Sequence, residues 1–264
     1  MAEDREDQAA GDETRKLSER ILRSERESRY LRKDSDQRKV MEEVFDRATL
    51  LSVEELFRRG QLGDLFGVVN SGKEARVYYG VATDGTPVAA KIYMTVSADF
   101  KKRMRYISGD RRFGKLPSGS RETINLWVQK EFKNLQLAEA SGVRVPKPLH
   151  FYRNILLMEY IGEPPRPAPT FAESEVDQGD CDWTFAAVKK LYRSAGLVHA
   201  DLSEYNIFKH DSERVIFDMG SAVLTSHPEA TDFLRRDLFN VVRFFKKRGL
   251  VAGDAEGWLG KITK

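Results

Sequence analysis

The chain is nearly without cysteine. Its one thiol, Cys181, has no second cysteine in the 264 residues to pair with, so an internal disulfide is excluded and a reducing compartment is expected. Only four histidines accompany it, too few for a structural zinc site built from Cys and His to be expected. No stretch approaches the ~18–20 consecutive apolar residues of a membrane span. The opening "MAEDREDQAAGDETRK" lacks the apolar centre of a signal peptide. A soluble, cytoplasmic protein without a membrane partner is the expectation. A dominant charge is missing too. The net value is only +3, so the global field says little and local clusters matter more.

What is present is a 41% apolar and 32% charged composition, enough for a folded core under a very wet surface. Residues 1–39 are mixed charges with few large apolar side chains, read as disorder to about Lys16 and then a weakly held helical arm. From Val40 the pattern becomes that of a folded domain, 40–264. Apolar residues fall at helical spacing through "VMEEVFDRATLLSVEELFRRGQL", with Ser52 as the expected N-cap of "VEEL". Residues 65–94 hold three β-prone runs broken at Asn70-Ser71-Gly72 and at Asp84-Gly85, which predicts an antiparallel meander.

Residues 97–122 carry eight bases against three acids, with Gly109, Gly114, Pro117 and Gly119 interrupting, and read as a mobile basic loop. A helix is predicted over 123–141, ended by Gly142, then two strands turning at Arg153-Asn154. Pro164, Pro165, Pro167 and Pro169 mark a hinge at 158–169 between an N-terminal lobe (about 40–161) and a C-terminal lobe (about 170–264). Helices are expected at 182–196 and about 228–249, with two short strands flanking "HADLSEYN". The fold class is α+β: a small sheet lobe, then a helical lobe, with a ligand site expected at the cleft between them.

Taken singly, the chemical motifs are weak. "HADLSEYN" fits a polar turn, "FDMG" a β-turn, the lysine of "AAKIY" a snorkelling strand residue, and Glu131 a solvated helix charge. Their order changes the odds. A glycine-containing turn precedes a strand lysine, Lys91. A helix Glu131 follows, then Asp201 with Asn206 five residues on, then Asp218 of a D-x-G. Phosphoryl transfer needs these parts: a cation on the nucleotide phosphates, an acid to orient it, a carboxylate for the acceptor's proton, and an amide with a carboxylate to hold Mg2+.

The stretches "NSGKEARVY", "AAKIY", "EFKNL", "MEYIG", "HADLSEYNI" and "IFDMGSAV" resemble the RIO family of atypical serine/threonine protein kinases, its first subfamily in archaeal form, over about 40–250. The resemblance implies a two-lobed protein-kinase-like fold with a small antiparallel N-lobe sheet and a reduced helical C-lobe. It implies ATP as substrate and Mg2+ (or Mn2+) as cofactor. Lys91 would meet the α- and β-phosphates, Glu131 would orient Lys91, and Asp201 would be the catalytic aspartate. Asn206 and Asp218 would ligate the metal. Ser71, Gly72, Lys73 and Glu74 would cover the phosphates, and the backbone at Glu159 and Ile161 would meet the adenine edge.

There are departures from ordinary protein kinases. The phosphate loop is not G-x-G-x-x-G, Ala200 stands where an HRD arginine would be, and no A-P-E follows "DMG". The usual activation segment and peptide-binding helices are therefore expected to be missing. The resemblance further implies autophosphorylation in the basic loop, at Ser108, Ser118 or Ser120, and ATP hydrolysis through an aspartyl-phosphate at Asp218. It also implies a role in maturation of the small ribosomal subunit, with "FKKRMR…DRRFGK" and "RFFKKRG" as RNA contacts. Two rival readings stay open. One is an ATP-gated assembly switch; the other is a small-molecule phosphotransferase of the aminoglycoside or choline kinase type.

Overall fold

The computed structural model describes residues 46–94, 100–114 and 119–264. The expected N-terminal arm, 1–39, lies outside the described residues, as does Ser118. The chain divides into two compact units. Among the described residues, one unit holds those up to 94 with Leu149–Tyr160, and the other holds 100–114, 119–148 and Ile161–Lys264.

The first unit is built on a five-stranded sheet. Its strands are β1 (Asp64–Ser71), β2 (Ala75–Val81), β3 (Pro87–Tyr93), β4 (Pro148–Tyr152) and β5 (Ile155–Glu159), in the order β1-β2-β3-β5-β4. The predicted meander is β1-β2-β3, antiparallel throughout. Asp84 accepts the Thr86 amide at 2.9 Å, and Gly85 takes φ 85°, as the Asp-Gly signal requires. Helix α1 (Arg47–Arg58) packs on one face of the sheet. Val53 and Leu56 join Tyr78, Val88, Ala90, Ile92, Ile155 and Leu157 in a buried cluster. Its N-cap is Asp46, which accepts the Thr49 amide at 2.8 Å, and not Ser52. Ser52 is buried inside the helix, where its hydroxyl donates to the Ala48 carbonyl at 2.7 Å. That i−4 bond satisfies the hydroxyl without a cap.

The second unit is mostly helical. The basic segment contains a helix, α2 (Phe100–Ile107), where only a loop was expected. Tyr106 stacks on Phe233 at 5.2 Å between centroids and meets Trp127 edge-on, which holds that helix down. Helix α3 (Ser120–Ala140) begins three residues before its predicted start, and its ending at Gly142 (φ 72°) is as predicted. The proline-rich stretch folds into a small hairpin of β6 (Gly162–Glu163) and β7 (Arg166–Pro167). Gly162 has φ 130°, and a Cβ there would sit 2.4 Å from the Ala168 nitrogen. Helix α4 (Gln178–Arg193) opens on an Asp177–Asp180 capping box, four residues before the predicted start.

Strand β8 (Leu197–Val198) precedes "HADLSEYN", and β9 (Ile207–His210) follows it. They lie in different sheets. β8 pairs with β11 (Val223–Leu224), and β9 pairs with β10 (Glu213–Ile216). Helices α5 (Ala230–Lys247) and α6 (Ala255–Thr263) close the unit. Helix α3 belongs to the second unit. The physical reason is a set of buried hydrogen bonds from α3 to the loop after β10, described below. Among the described residues, no helix is long and apolar enough to cross a membrane.

Candidate active site

In the first unit, strand alternation decides where Lys91 points. Lys91 pairs with Val77 and with Leu156, while Ala90 and Ile92 on either side of it belong to the cluster under α1. Lys91 therefore emerges on the sheet face opposite α1. It is 8% exposed, and its Nζ lies 5.2 Å from the centre of the Tyr93 ring. The turn Ser71-Gly72-Lys73 is exposed at the β1–β2 end, where the Gly72 amide donates to the Ala75 carbonyl at 3.0 Å. Glu159 ends β5, opposite Val88.

The second unit gathers Asp201, Asn206 and Asp218. The Asn206 side-chain amide donates to the Asp201 carbonyl at 2.7 Å. The Phe217 amide donates to the Asn206 carbonyl at 3.0 Å, which ties the residue before Asp218 to the same loop. His199, buried at 1% exposure, places Nε2 2.9 Å from the Phe217 carbonyl. A carbonyl only accepts, so Nε2 is the protonated nitrogen. Ala200 and Asp218 both take left-handed backbone, φ 66° and 61°. Each costs about 1–2 kcal/mol for a residue with a Cβ, a strain characteristic of sites the surrounding structure holds in place. Asp201 and Asp218 are exposed on this buried frame.

Helix α5 holds both neighbours of Asp201. Asp237 accepts the Ala200 amide at 2.7 Å and the Leu202 amide at 2.9 Å. Arg236 donates to the Ala200 carbonyl, and the Asn240 amide donates to the Leu202 carbonyl at 3.2 Å. Burial pushes the Asp237 carboxyl up to about 7, against the pull of the two backbone amides.

Helix α3 holds the loop after Asp218. Lys130 Nζ donates to the Gly220 carbonyl at 2.8 Å and also to the Ala222 carbonyl. Asn134 Nδ2 donates to the Met219 and Ala222 carbonyls, each at 2.8 Å. Trp127 covers Gly220 so closely that a Cβ there would lie 2.9 Å from its Nε1. Both polar side chains have no measurable exposure. Burial lowers the Lys130 ammonium to about 7, helped by Arg112 and opposed by Asp110 and Glu131. Glu131 is buried in the same helix, 1% exposed. Ile161 is buried too, and its carbonyl accepts the Ala168 amide at 2.9 Å.

Sequence reasoning missed Trp127, Lys130, Asn134 and the α5 clamp. Asp237 had a visible signal: a carboxylate four residues from both Phe233 and Val241, inside an apolar stripe. Lys130 and Asn134 had none, because buried and solvated helix polars look alike in sequence. The aromatic residues of "RFFKKRG", expected to face RNA, are buried: Phe244 is 7% and Phe245 0% exposed. They complete the core stripe of α5.

The RIO domain model matches residues 76–256. The chain belongs to the RIO family. Its relatives include the RIO-type serine/threonine-protein kinase Rio1 of Haloferax volcanii, 39% identical over 269 residues, covering 97% of this chain and 91% of that protein. Rio1 of Methanocaldococcus jannaschii is 39% identical over 224 residues, 82% and 75% of the two chains. The RIO1 kinase of Caenorhabditis elegans is 37% identical over 233 residues. This RIO-family chain spans only 46% of that longer relative. A solved Rio2 kinase–ADP/Mg2+–phosphoaspartate complex from Chaetomium thermophilum aligns with a TM-score of 0.61 at 18% identity, over 80% of this chain and 65% of that one. That likeness establishes the two-lobed kinase-like α+β fold. This RIO protein is thus a protein kinase of a family whose activity depends on ATP and Mg2+. Its membership sets aside the aminoglycoside or choline kinase reading.

Proposed function

We propose that Asp201, Asn206 and Asp218 form the phosphoryl-transfer centre, and that the enzyme serves maturation of the small ribosomal subunit in the cytoplasm. The observation that carries the first part is the lacing of these three residues through the Asn206–Asp201 and Phe217–Asn206 hydrogen bonds. Asn206 has its amide nitrogen committed to Asp201, which leaves the oxygen Oδ1 for a cation. Asp218 supplies a carboxylate. These are hard oxygen donors, and they fit Mg2+, which takes few protein ligands and keeps several waters. The metal, when bound, would neutralise charge on the transferring phosphoryl group.

The remaining roles follow from chemistry. The acceptor hydroxyl oxygen attacks the γ-phosphorus, the bond to the bridging oxygen breaks, and ADP leaves. Asp201 takes the hydroxyl proton. Lys91 holds the α- and β-phosphates, and Glu131 orients it. Ser71, Gly72, Lys73 and Glu74 cover the phosphates. The Glu159 carbonyl and the Ile161 N–H read the adenine edge. Autophosphorylation falls on Ser108, Ser118 or Ser120, of which Ser108 and Ser120 are exposed.

A second reading makes Asp218 the phosphoryl acceptor in an ATP-gated assembly switch. Its Oδ would attack the γ-phosphorus to give an aspartyl-phosphate and ADP, and water would then release phosphate. The relative solved as a phosphoaspartate complex favours it. The deciding experiment uses γ-labelled ATP with and without small-subunit precursor particles. Label in a separate protein supports a kinase. Free phosphate released only with particles, and hydroxylamine-labile label lost in Asp218→Asn, support the switch. Persistence of that labile label in Asp218→Asn would rule it out.

On this reading RNA contact falls on the solvent face of α5. Arg235, Arg236, Phe239, Arg243, Lys246 and Lys247 are exposed along it, and Arg243 lies 5.8 Å over the Phe239 ring. Cations beside an open aromatic face suit phosphate neutralisation with base stacking.

A further inference from the structure

Helix α3 grips the loop that follows Asp218 through one stripe of its surface. Trp127, Lys130 and Asn134 stand at i, i+3 and i+7, which share a face. Between them, four hydrogen bonds reach three successive anchor points, the carbonyls of Met219, Gly220 and Ala222. The Ala222 carbonyl is shared by both polar side chains, so its two lone pairs are used. The glycine at 220 lets the Trp127 ring come down onto the backbone.

This is an unusual use of a buried amine. Among the described residues, Lys130 Nζ forms no ion pair; it donates to two backbone carbonyls, with the Trp127 ring 5.3 Å away. Asp110, itself locked to Arg112 by a 2.6 Å ion pair, contributes its field to the same ammonium. An apolar side chain of similar length would fill the space but leave the buried Gly220 carbonyl without this donor. What the amine adds is direction. It fixes the carbonyls two and four residues beyond the left-handed Asp218, and so fixes the exit path of that residue.

We infer that Lys130 and Asn134 are positioning residues for phosphoryl transfer: they set the orientation of the Asp218 carboxylate by clamping the Met219–Ala222 carbonyls to α3. The inference rests on the reading of Asp218 as the metal-side carboxylate. Neither side chain touches substrate. Their removal acts through the loop, and it acts more on turnover and metal use than on nucleotide affinity.

The test uses the full chain carrying Lys130→Met, Asn134→Leu and both together, with Asp218→Asn measured alongside. Each folded variant is read for kcat, KM for ATP, the Mg2+ concentration at half-maximal rate, and amide exchange in residues 216–224. The expected result is a kcat at least tenfold lower, with KM for ATP within threefold. Half-saturating Mg2+ rises at least threefold, and exchange quickens in 216–224 but not in α4. The double variant loses less than the product of the single losses, because both side chains hold Ala222. Folded variants with kcat within twofold and unchanged Mg2+ dependence would overturn the inference. So would exchange that quickens equally across the chain. Should Lys130→Met not fold, Lys130→Gln, which keeps a donor, is read by the same criteria. If no variant of the pair folds, the pair belongs to the core alone and the inference is overturned. An active Asp218→Asn would instead refute the role of Asp218, whatever the clamp variants do.

Discussion

Asp237 and Ala200 are joined by a 2.7 Å hydrogen bond from backbone amide to buried carboxylate, and the other oxygen of Asp237 takes the Leu202 amide. The exposed Asp201 thus stands between two peptide units fixed from below by α5. Replacing Asp237 with Asn puts an NH2 group against one of two N–H donors. A lost buried acceptor costs about 1–3 kcal/mol. The expected outcome is a folded protein whose kcat falls about 10- to 100-fold with little change in KM for ATP, checked by steady-state kinetics.

The same carboxyl predicts a pH signature. Its folded pKa, about 7, lies above the ordinary carboxylate value of 3.8. Between those values the folded state keeps a proton that the unfolded state has released. The stabilising contribution is therefore full below about pH 4 and is lost as pH rises towards 7, with a slope of at most about 1.4 kcal/mol per pH unit. Asp237→Asn removes that decline, which shows as a flatter dependence of unfolding free energy on pH across this window in urea denaturation.

Lys130 predicts the opposite sign at higher pH. Its folded value, about 7, lies below the ordinary 10.5. The unfolded chain holds the extra proton in that interval, so stability rises as pH goes from about 7 towards 10.5. In Lys130→Met this rise is absent, so the parent's melting temperature climbs relative to the variant's on the alkaline side. A variant that keeps the parent's slope would place the titration elsewhere.

Gly220→Ala drives a methyl group to 2.9 Å from Trp127 Nε1 and 3.2 Å from the ring. Overpacking of this kind costs about 1–3 kcal/mol. Denaturant melts of Gly220→Ala, Trp127→Phe and the pair should show that the smaller ring recovers part of the loss, because the two positions touch.

For RNA, the exposed and buried aromatics separate two expectations. Phe239 is 55% exposed, so Phe239→Ala leaves the fold intact and weakens binding to small-subunit rRNA by about 1–3 kcal/mol if a base stacks there. Neutralising Arg243, Lys246 and Lys247 lowers the slope of affinity against salt. Unaltered binding in both variants would remove this face from the interface. Phe245→Ala instead damages the core.

Much of this was legible in the sequence because local chemistry dictated it. Asp84-Gly85 forced a hairpin, and Gly142 ended a helix. The lacing of Asp201, Asn206 and Asp218 follows from side chains within one short stretch and the strand pair after it. What stayed hidden was long-range. Lys130 reaches a carbonyl 90 residues away, and Asp237 an amide 37 residues away. No periodicity reports such partners. The helix within the basic segment was hidden for a related reason. Its position depends on Tyr106 docking against Phe233 and Trp127, and glycines nearby argued against a helix. Ser52 was misassigned as a cap because a serine before acidic residues looks the same whether it starts a helix or back-bonds within one.

The most direct test of the centre is single-turnover phosphoryl transfer from γ-labelled ATP by purified parent, Asp201→Asn, Asn206→Ala and Asp218→Asn proteins, with circular dichroism to verify folding. The predicted result is that all three variants remain folded and lose at least 100-fold in rate, Asn206→Ala and Asp218→Asn with a raised Mg2+ requirement and Asp201→Asn without one. A folded Asp201→Asn that transfers phosphate at the parent's rate would contradict the assignment.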